Sequence, residues 1–362
     1  MDLFQPTDAS MEHIEFTLSR DGTRLATATC GKGPLLIKAA NWLTHIEKDR
    51  NSPIWSHWIE GLASGRRLLR YDERGTGLSD REVPDVSFER MLEDLEAVAD
   101  YSGEQRFDLV GISQGGAVAI EYACRHPDRV RKLVVYGAYA QGWNRRESMS
   151  TRRRSSALAE LIRLGWDSGT DAYLELFAAL HIPGAGSMEV NAFVEACRST
   201  TTPEMAARLF EAFGEIDIRS HLPKVRMPAL VLHARHEEAV PFEQGKRIAA
   251  GIPRARFIPL ESRAHVLGRS DPAWAVLTRA IDDFLAPVQD QAQPALWDLT
   301  VRERDVLGCL VRGESNTTIA EALGLREKSV RNYLTIIYEK LGVASRAQAI
   351  ALVRDHGLKG RV

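Results

Sequence analysis

What the chain has little of narrows its class. Four cysteines are spread over 362 residues, at Cys30, Cys124, Cys197 and Cys309, with no CxxC pair and no metal-ligand spacing. That excludes a disulfide scaffold and makes a cytoplasmic location the expectation. No metal and no cofactor is expected. No run of about 18 apolar residues occurs, so no membrane-spanning helix and no membrane partner is expected. The opening MDLFQPTDASMEHIEF lacks a basic start followed by an apolar run, so no signal peptide is expected. A strong net charge is also missing, at −2 for the chain. That balance hides an asymmetry. Residues 295–362 carry net +3 and the remainder net −5. A small basic region on a larger acidic one fits DNA binding at one end.

A hydrophobic content of 44% supports one large core and a small second one. EHIEFTLSRDGTRLATATCGKGPLLIKAAN predicts two hairpin strands, turned at Asp21-Gly22, and then a more continuously buried strand. IWSHWIEGL predicts a helix, and GRRLLRYDERGTGLSD a strand and a glycine-rich turn. FERMLEDLEAVADYSG predicts a helix. RFDLVGISQGGAVAIEYACRHPDRV reads as strand, tight turn and helix, and RKLVVYGAY as a strand. This alternation predicts an α/β fold with a mostly parallel sheet and helices on both faces. Residues 142–222 contain no strand pattern. AYLELFAALHI, VNAFVEACR and TPEMAARLFEAF predict helices there. PALVLHARHEEAVP and ARFIPLE resume the sheet, and AWAVLTRAIDDFLAP closes it with a helix. The polar stretch PVQDQAQPA, 287–295, reads as a linker. The expected division is 1–286, linker 287–295, and an all-α domain at 296–362.

GISQGG at 111–116 carries the G-x-S-x-G pattern between a strand and a helix. A sharp turn there needs small neighbours around a strained serine, and Gly111, Gly115 and Gly116 meet that need. Ser113 would then lie at a helix start, where unpaired amides stabilise negative charge. The alternative is a serine in an ordinary glycine-rich loop.

With this elbow and the element YDERGTGLSD at 71–80, the N-terminal 285 residues resemble the α/β-hydrolase family. The resemblance implies a Ser–acid–His triad in that order and a helical cap, which residues 142–222 match in position. It implies His265, in LESRAHVLG, as the base. The acid should follow the strand ALVLHAR, where the family usually shows G-D-x-x-V-P and this chain has HEEAVP. Glu237 stands in the aspartate place and Glu238 is the competing assignment. The oxyanion donors implied are the amides of Gln114 and Trp42. Asn41 departs from the glycine common before the second donor. Trp42 and Asn41 are expected to line a ligand pocket. Leu174, Phe177, Leu180 and Ile182 in the cap suggest an apolar compartment, although a cap also needs its own core.

Residues 300–355 predict four short helices. Thr300 and Glu303 form a capping box. The first helix buries Val306, Leu307 and Leu310; the second runs from about Asn316 to Leu323. The third begins near Glu327 and buries Val330, Leu334, Ile337 and Leu341. Its other face carries Lys328, Ser329, Arg331, Asn332 and Thr335. Two short helices, a glycine turn and a helix with a basic and amide face make a helix-turn-helix. A helical docking domain is the alternative. LTVRERDVL, the G-E-S-N-x-x-I-A segment at 313–320, SVRNY and EKLGV resemble the LuxR-type helix-turn-helix family. The resemblance implies a recognition helix at about 327–341 and a fourth helix that supports dimerisation. Lys328, Arg331, Asn332 and Lys340 fall where the family's DNA-facing residues cluster. Arg326 replaces the usual serine cap, Tyr333 a frequent histidine and Thr318 a frequent glutamate. Losing that cap costs about 1 kcal/mol, while Arg326 gains reach to a phosphate.

The expected protein is a one-component regulator that binds double-stranded DNA as a homodimer, with a small hydrophobic or acyl ligand in its hydrolase-like domain. RNA polymerase is a further expected partner. The alternative is an active serine hydrolase, cleaving esters or lactones, fused to a DNA-binding domain. A protein-interaction scaffold with a filled pocket is a third.

Overall fold

A computed structural model describes residues 12–286 and 299–355, apart from positions 43 and 168. The predicted linker at 287–295 lies outside the described residues. The chain divides into two compact units, with the break between Leu285 and Ala286.

The first unit is built on an eight-stranded sheet. In chain order it holds β1 (His13–Leu18), β2 (Arg24–Cys30), β3 (Leu35–Lys38), α1 (Ile46–Asp49), α2 (Ser56–Ala63), β4 (Arg67–Tyr71), α3 (Phe88–Tyr101), β5 (Phe107–Ile112), α4 (Gln114–Arg125) and β6 (Val130–Tyr136). Four helices follow: α5 (Met149–Gly165), α6 (Ala172–His181), α7 (Ser187–Thr200) and α8 (Pro203–Gly214). Then come β7 (Ala229–Ala234), α9 (Phe242–Gly251), β8 (Arg256–Leu260) and α10 (Pro272–Leu285). The strand order is β1-β2-β4-β3-β5-β6-β7-β8. β1–β2 and β2–β4 are antiparallel and the other pairs parallel.

The middle strands are buried on both faces, so their sequences run apolar without polar alternation. In β5, Phe107 and Leu109 face one core with Leu92, Leu95 and Ile120, while Val110 and Ile112 face the other with Trp58, Leu277 and Ile281. Thus α3 and α4 cover one face and α2 and α10 the other. The chain reverses direction across the sheet between β3 and β5, which pair in parallel with Lys38 opposite Val110. Loops leaving two such strands diverge and open a crevice at their carboxyl ends. The loop after β3 carries Asn41 and Trp42; the turn after β5 carries Ser113.

α5 has no counterpart among the helices expected in the insertion. Its segment MSTRRRSSALAELIRLG is too rich in arginine and serine to show a strong apolar stripe. Ala159 and Ile162 nevertheless bury one face of it.

The second unit holds α11 (Val301–Val311), α12 (Asn316–Leu323), α13 (Glu327–Leu341) and α14 (Arg346–Asp355). Val306, Leu310, Ile319, Val330, Ile337 and Ala349 close one core. The capping box is complete: Glu303 Oε2 accepts from the Thr300 amide at 2.6 Å, and Thr300 Oγ1 from the Glu303 amide at 3.3 Å. Ser315 caps α12. Gly324 (φ 64°) ends that helix in the left-handed conformation.

Candidate active site and nucleic-acid interface

The strand-to-helix turn forces Ser113 to φ 54° and ψ −129°. That conformation costs on the order of 1–3 kcal/mol for a non-glycine residue. The turn can close this tightly because its neighbours lack a Cβ. One on Gly115 would strike the Ala40 carbonyl, and one on Gly116 the Ala138 methyl. The Ser113 amide donates to the Tyr136 carbonyl at 3.0 Å, pinning the turn to β6. Gln114 is the first residue of α4, where its amide has no acceptor within the helix.

His265 and Glu237 meet although 28 residues separate them. His265 Nδ1 donates to Glu237 Oε2. Ser113 and His265 line the same cavity. Glu237 is fully buried. Burial alone would raise its pKa, but His265 and His233 outweigh it and hold the carboxyl below its ordinary value. His233 Nε2 lies 2.9 Å from Glu237 Oε1 and donates to the Val240 carbonyl at 3.0 Å. Glu238, by contrast, is exposed, with its nearest recorded cation at 3.8 Å, Arg263. The geometry therefore favours Glu237 as the acid. Gly137 (φ 57°) gives the pair room: a Cβ there would come within 3.2 Å of the His265 ring.

Two adjoining cavities reach Ser113, Gln114, Trp42 and His181. Asn41 lines the first. Lys38 Nζ, buried at the end of β3, donates to Asn41 Oδ1, tying the loop to the sheet. Burial lowers the Lys38 pKa. Asp72 and Glu73 lie deep nearby, and burial pushes each carboxyl up to about 8. Trp42 is the aromatic hub, with Phe210 at 5.7 Å and Trp166 and Phe177 at 6.2 Å between ring centres. Trp55 also lines the first cavity. Trp58 is core, its Nε1 donating to the Leu267 carbonyl at 3.0 Å. Phe177 and Leu180 face the second cavity; Leu174 is packed in the core.

His181, at the end of α6, turns the cap toward the base. Its carbonyl accepts from the amides of His265 at 2.9 Å and Val266 at 3.0 Å. Its ring lies 5.6 Å from that of His265. Burial, helped by repulsion from His265, drives its pKa down to about 4, so the ring is neutral at neutral pH. Its Nδ1 donates to the Phe177 carbonyl at 2.8 Å.

In the second unit, α13 presents Lys328, Arg331 and Asn332 exposed on one side, with Ser329 partly exposed. Arg326 is exposed at the helix start and makes no capping hydrogen bond there. Arg331 pairs with Glu327 one turn back at 3.2 Å, an exposed contact. Lys340 departs from the expectation. Its Nζ reaches both Glu303 oxygens, at 3.0 and 2.8 Å. In this conformation Lys340 is engaged by the carboxylate of the capping box.

Among the described residues no cluster of three or more His, Cys, Asp or Glu is placed to hold a metal ion. No described helix is long and apolar enough to cross a membrane.

Residues 43–267, more than half of the chain, match the α/β hydrolase fold family. The chain belongs to this family. Residues 298–353 match the family of bacterial regulatory proteins of the luxR type. The protein is thus an α/β-hydrolase-fold domain fused to a LuxR-type DNA-binding domain. A deacetylase of Xenorhabdus hominickii, pyrrolizixenacetamide deacetylase, is 27% identical over 254 residues, 68% of this chain and 90% of that protein. RutD of Azorhizobium caulinodans, which bears the name of a carbamate hydrolase, is 30% identical over 224 residues, 60% and 81% of the two chains. A hydrolase from Pseudomonas aeruginosa superposes with a TM-score of 0.63 at 25% identity, covering 76% of this chain and 99% of that one.

Within this hydrolase-fold domain, sequence reading missed His181, His233, Gly137 and Lys38. Gly137 lies in YGAY after a strand and carries no local motif. His181 reads as the end of an apolar helix. Only the folding of the cap over the sheet brings it beside His265.

Proposed function

We propose that the protein is a ligand-responsive transcriptional regulator. A small acyl compound enters the cavity at Ser113 and changes DNA binding by the LuxR-type domain. The observation that carries the reading is one chain holding both a DNA-binding domain and an open, aromatic-lined cavity over a strained serine. Lys328, Ser329, Arg331 and Asn332 contact the DNA, with Arg326 on a phosphate. A homodimer would place two such helices on adjacent half-sites. RNA polymerase is the downstream partner.

A second reading is favoured by the His265–Glu237 pair: the ligand is also cleaved. Ser113 Oγ attacks the acyl carbon while His265 Nε2 takes its proton. Glu237 holds the imidazolium that forms. The amides of Gln114 and Trp42 receive the oxyanion. Collapse expels the alcohol or amine, which takes the proton from His265. Water, deprotonated by His265, then releases the acid and restores Ser113. The relatives named for deacetylation and carbamate hydrolysis support acyl chemistry of this kind.

The test uses full-length protein and its Ser113→Ala variant. Hydrolysis of p-nitrophenyl esters and acyl adducts by intact mass are measured beside binding to the protein's own upstream DNA. DNA binding that an acyl compound modulates supports the regulator. Ser113-dependent turnover adds the second reading. DNA binding indifferent to every acyl compound that occupies the cavity would overturn ligand control.

A further inference from the structure

The cavity reaching from Ser113 into the cap is walled by Trp42, Tyr139, Trp143, Phe177, Phe210 and Phe213. It encloses about 930 Å³ when the solvent at its open mouth is counted. Two further lining residues are Arg146 and Arg154, and no lining residue is acidic. We propose that the ligand of this cavity carries a carboxylate received by Arg146, on an apolar or aromatic body held against Trp42 and Phe210. The inference rests on reading the cavity as a ligand site and adds the ligand's charge.

Among the described residues Arg146 is a partly buried guanidinium without a counter-ion. Its Nε donates to the Gln141 carbonyl at 3.0 Å, and its carbon lies 5.8 Å from the centre of the Tyr139 ring. No carboxylate pairs with it among the described residues, and its terminal nitrogens donate to none of them. Elsewhere the protein pairs its buried arginines. Arg74 holds Asp94 and Asp21, and Arg70 holds Glu12. Arg146 is placed differently, and its surroundings add positive charge. Arg154 spends one N–H on the Glu238 carbonyl at 3.3 Å, and Arg247 binds the Gln141 side chain. Burial, with Arg247 adding repulsion, lowers the Arg146 pKa, the mark of a charge held at a cost. With Nε engaged, the terminal edge formed by its two Nη groups still matches a carboxylate in bidentate fashion. A ligand carboxylate would offset the desolvation that the protein leaves uncompensated. The aromatic walls supply the remaining contact area.

The test compares phenylbutyrate with its neutral isostere phenylbutyramide. Full-length protein carrying Ser113→Ala prevents turnover of the amide. Binding is read by quenching of tryptophan fluorescence, since Trp42 and Trp143 line the cavity. The carboxylate is expected to bind about tenfold or more tighter than the amide, with the preference shrinking as salt is raised. Adding Arg146→Met should remove the preference and leave amide affinity within about threefold. Arg146→Lys, which keeps a charge but not the fork, should retain part of it and guards against a Met variant that folds poorly. Equal affinity for the two probes, or equal loss of both in a folded Arg146 variant, overturns the inference and leaves the ligand cavity standing. Failure of both probes to bind the parent overturns both.

Discussion

The two domains handle charge in opposite ways. The hydrolase-fold domain buries Arg74 and Asp94, Lys38, Asp72, Glu73 and Glu237 within its interior. Among the described residues of the DNA-binding domain Glu303 is the buried acidic one, and Lys328 and Arg331 of α13 stand in solvent. A catalytic or ligand site uses charge at low dielectric, where one carboxylate can fix a tautomer. A DNA-reading face uses charge that must stay free to meet phosphates and base edges. The first is assembled from strand ends far apart in the chain. The second is one helix. A substitution in the first should therefore act through its neighbours, and one in the second nearly alone.

The largest effect that would sharpen this contrast is on chemistry. Where esters are turned over, Ser113→Ala should lower kcat by on the order of 10³-fold or more, while the protein's affinity for DNA in the absence of ligand stays unchanged in a mobility-shift assay. A coupled change in that affinity would break the comparison. Glu237→Gln should follow, at roughly 10²–10⁴-fold in kcat, because the amide leaves His265 in the wrong tautomer. Its KM should move far less, and a rise confined to KM would argue against the orienting role.

The buried carboxyl of Glu73 predicts a pH effect on the first domain. Glu73 is pushed up to about 8 from the model-compound value of 4.5. The folded state then binds a proton that the unfolded chain releases above pH 4.5, so stability falls as pH rises from about 4.5 to 8. Glu73→Gln removes that dependence. Denaturant unfolding should show the variant more stable by about 1–3 kcal/mol at pH 8, with the gain vanishing near pH 4. A gain that persists at pH 4 would mean Glu73 is ionised in the fold.

Smaller effects are expected on α13. Arg331→Ala should weaken DNA binding by about 1–2 kcal/mol and leave thermal stability within about 0.5 kcal/mol, as for an exposed surface substitution. Lys328→Ala should reduce the salt slope of binding by about one unit. Lys340→Met is the counter-test. It should lower stability by about 0.5–1 kcal/mol and leave the salt slope unchanged. A slope that falls as much as for Lys328→Ala would return Lys340 to the DNA face.

Legibility followed the same division. The capping box at Thr300 and the inward set of α13 were readable because a helix writes its faces at intervals of three and four residues. The Lys340 contact was not readable for the same reason. The residue's position on the helix was plain, but the partner that claims it, Glu303, lies 37 residues away. In the hydrolase-fold domain the elbow was readable because strand, strained serine and helix are consecutive. Glu237 could be separated from Glu238 only when β7 and the His265 loop were brought together.

Sequence alone determined the alternation of strands and helices, the elbow, the fusion and the basic helix, all of which are local patterns of size, charge and period. Tertiary structure decided which glutamate meets His265, that Gly137 clears space for the pair, and that His181 and Arg146 face one cavity with Ser113. Those relations depend on the crossover between β3 and β5 and on how the cap folds across it. Contacts between residues tens of positions apart follow from packing, and no periodicity along the chain records them.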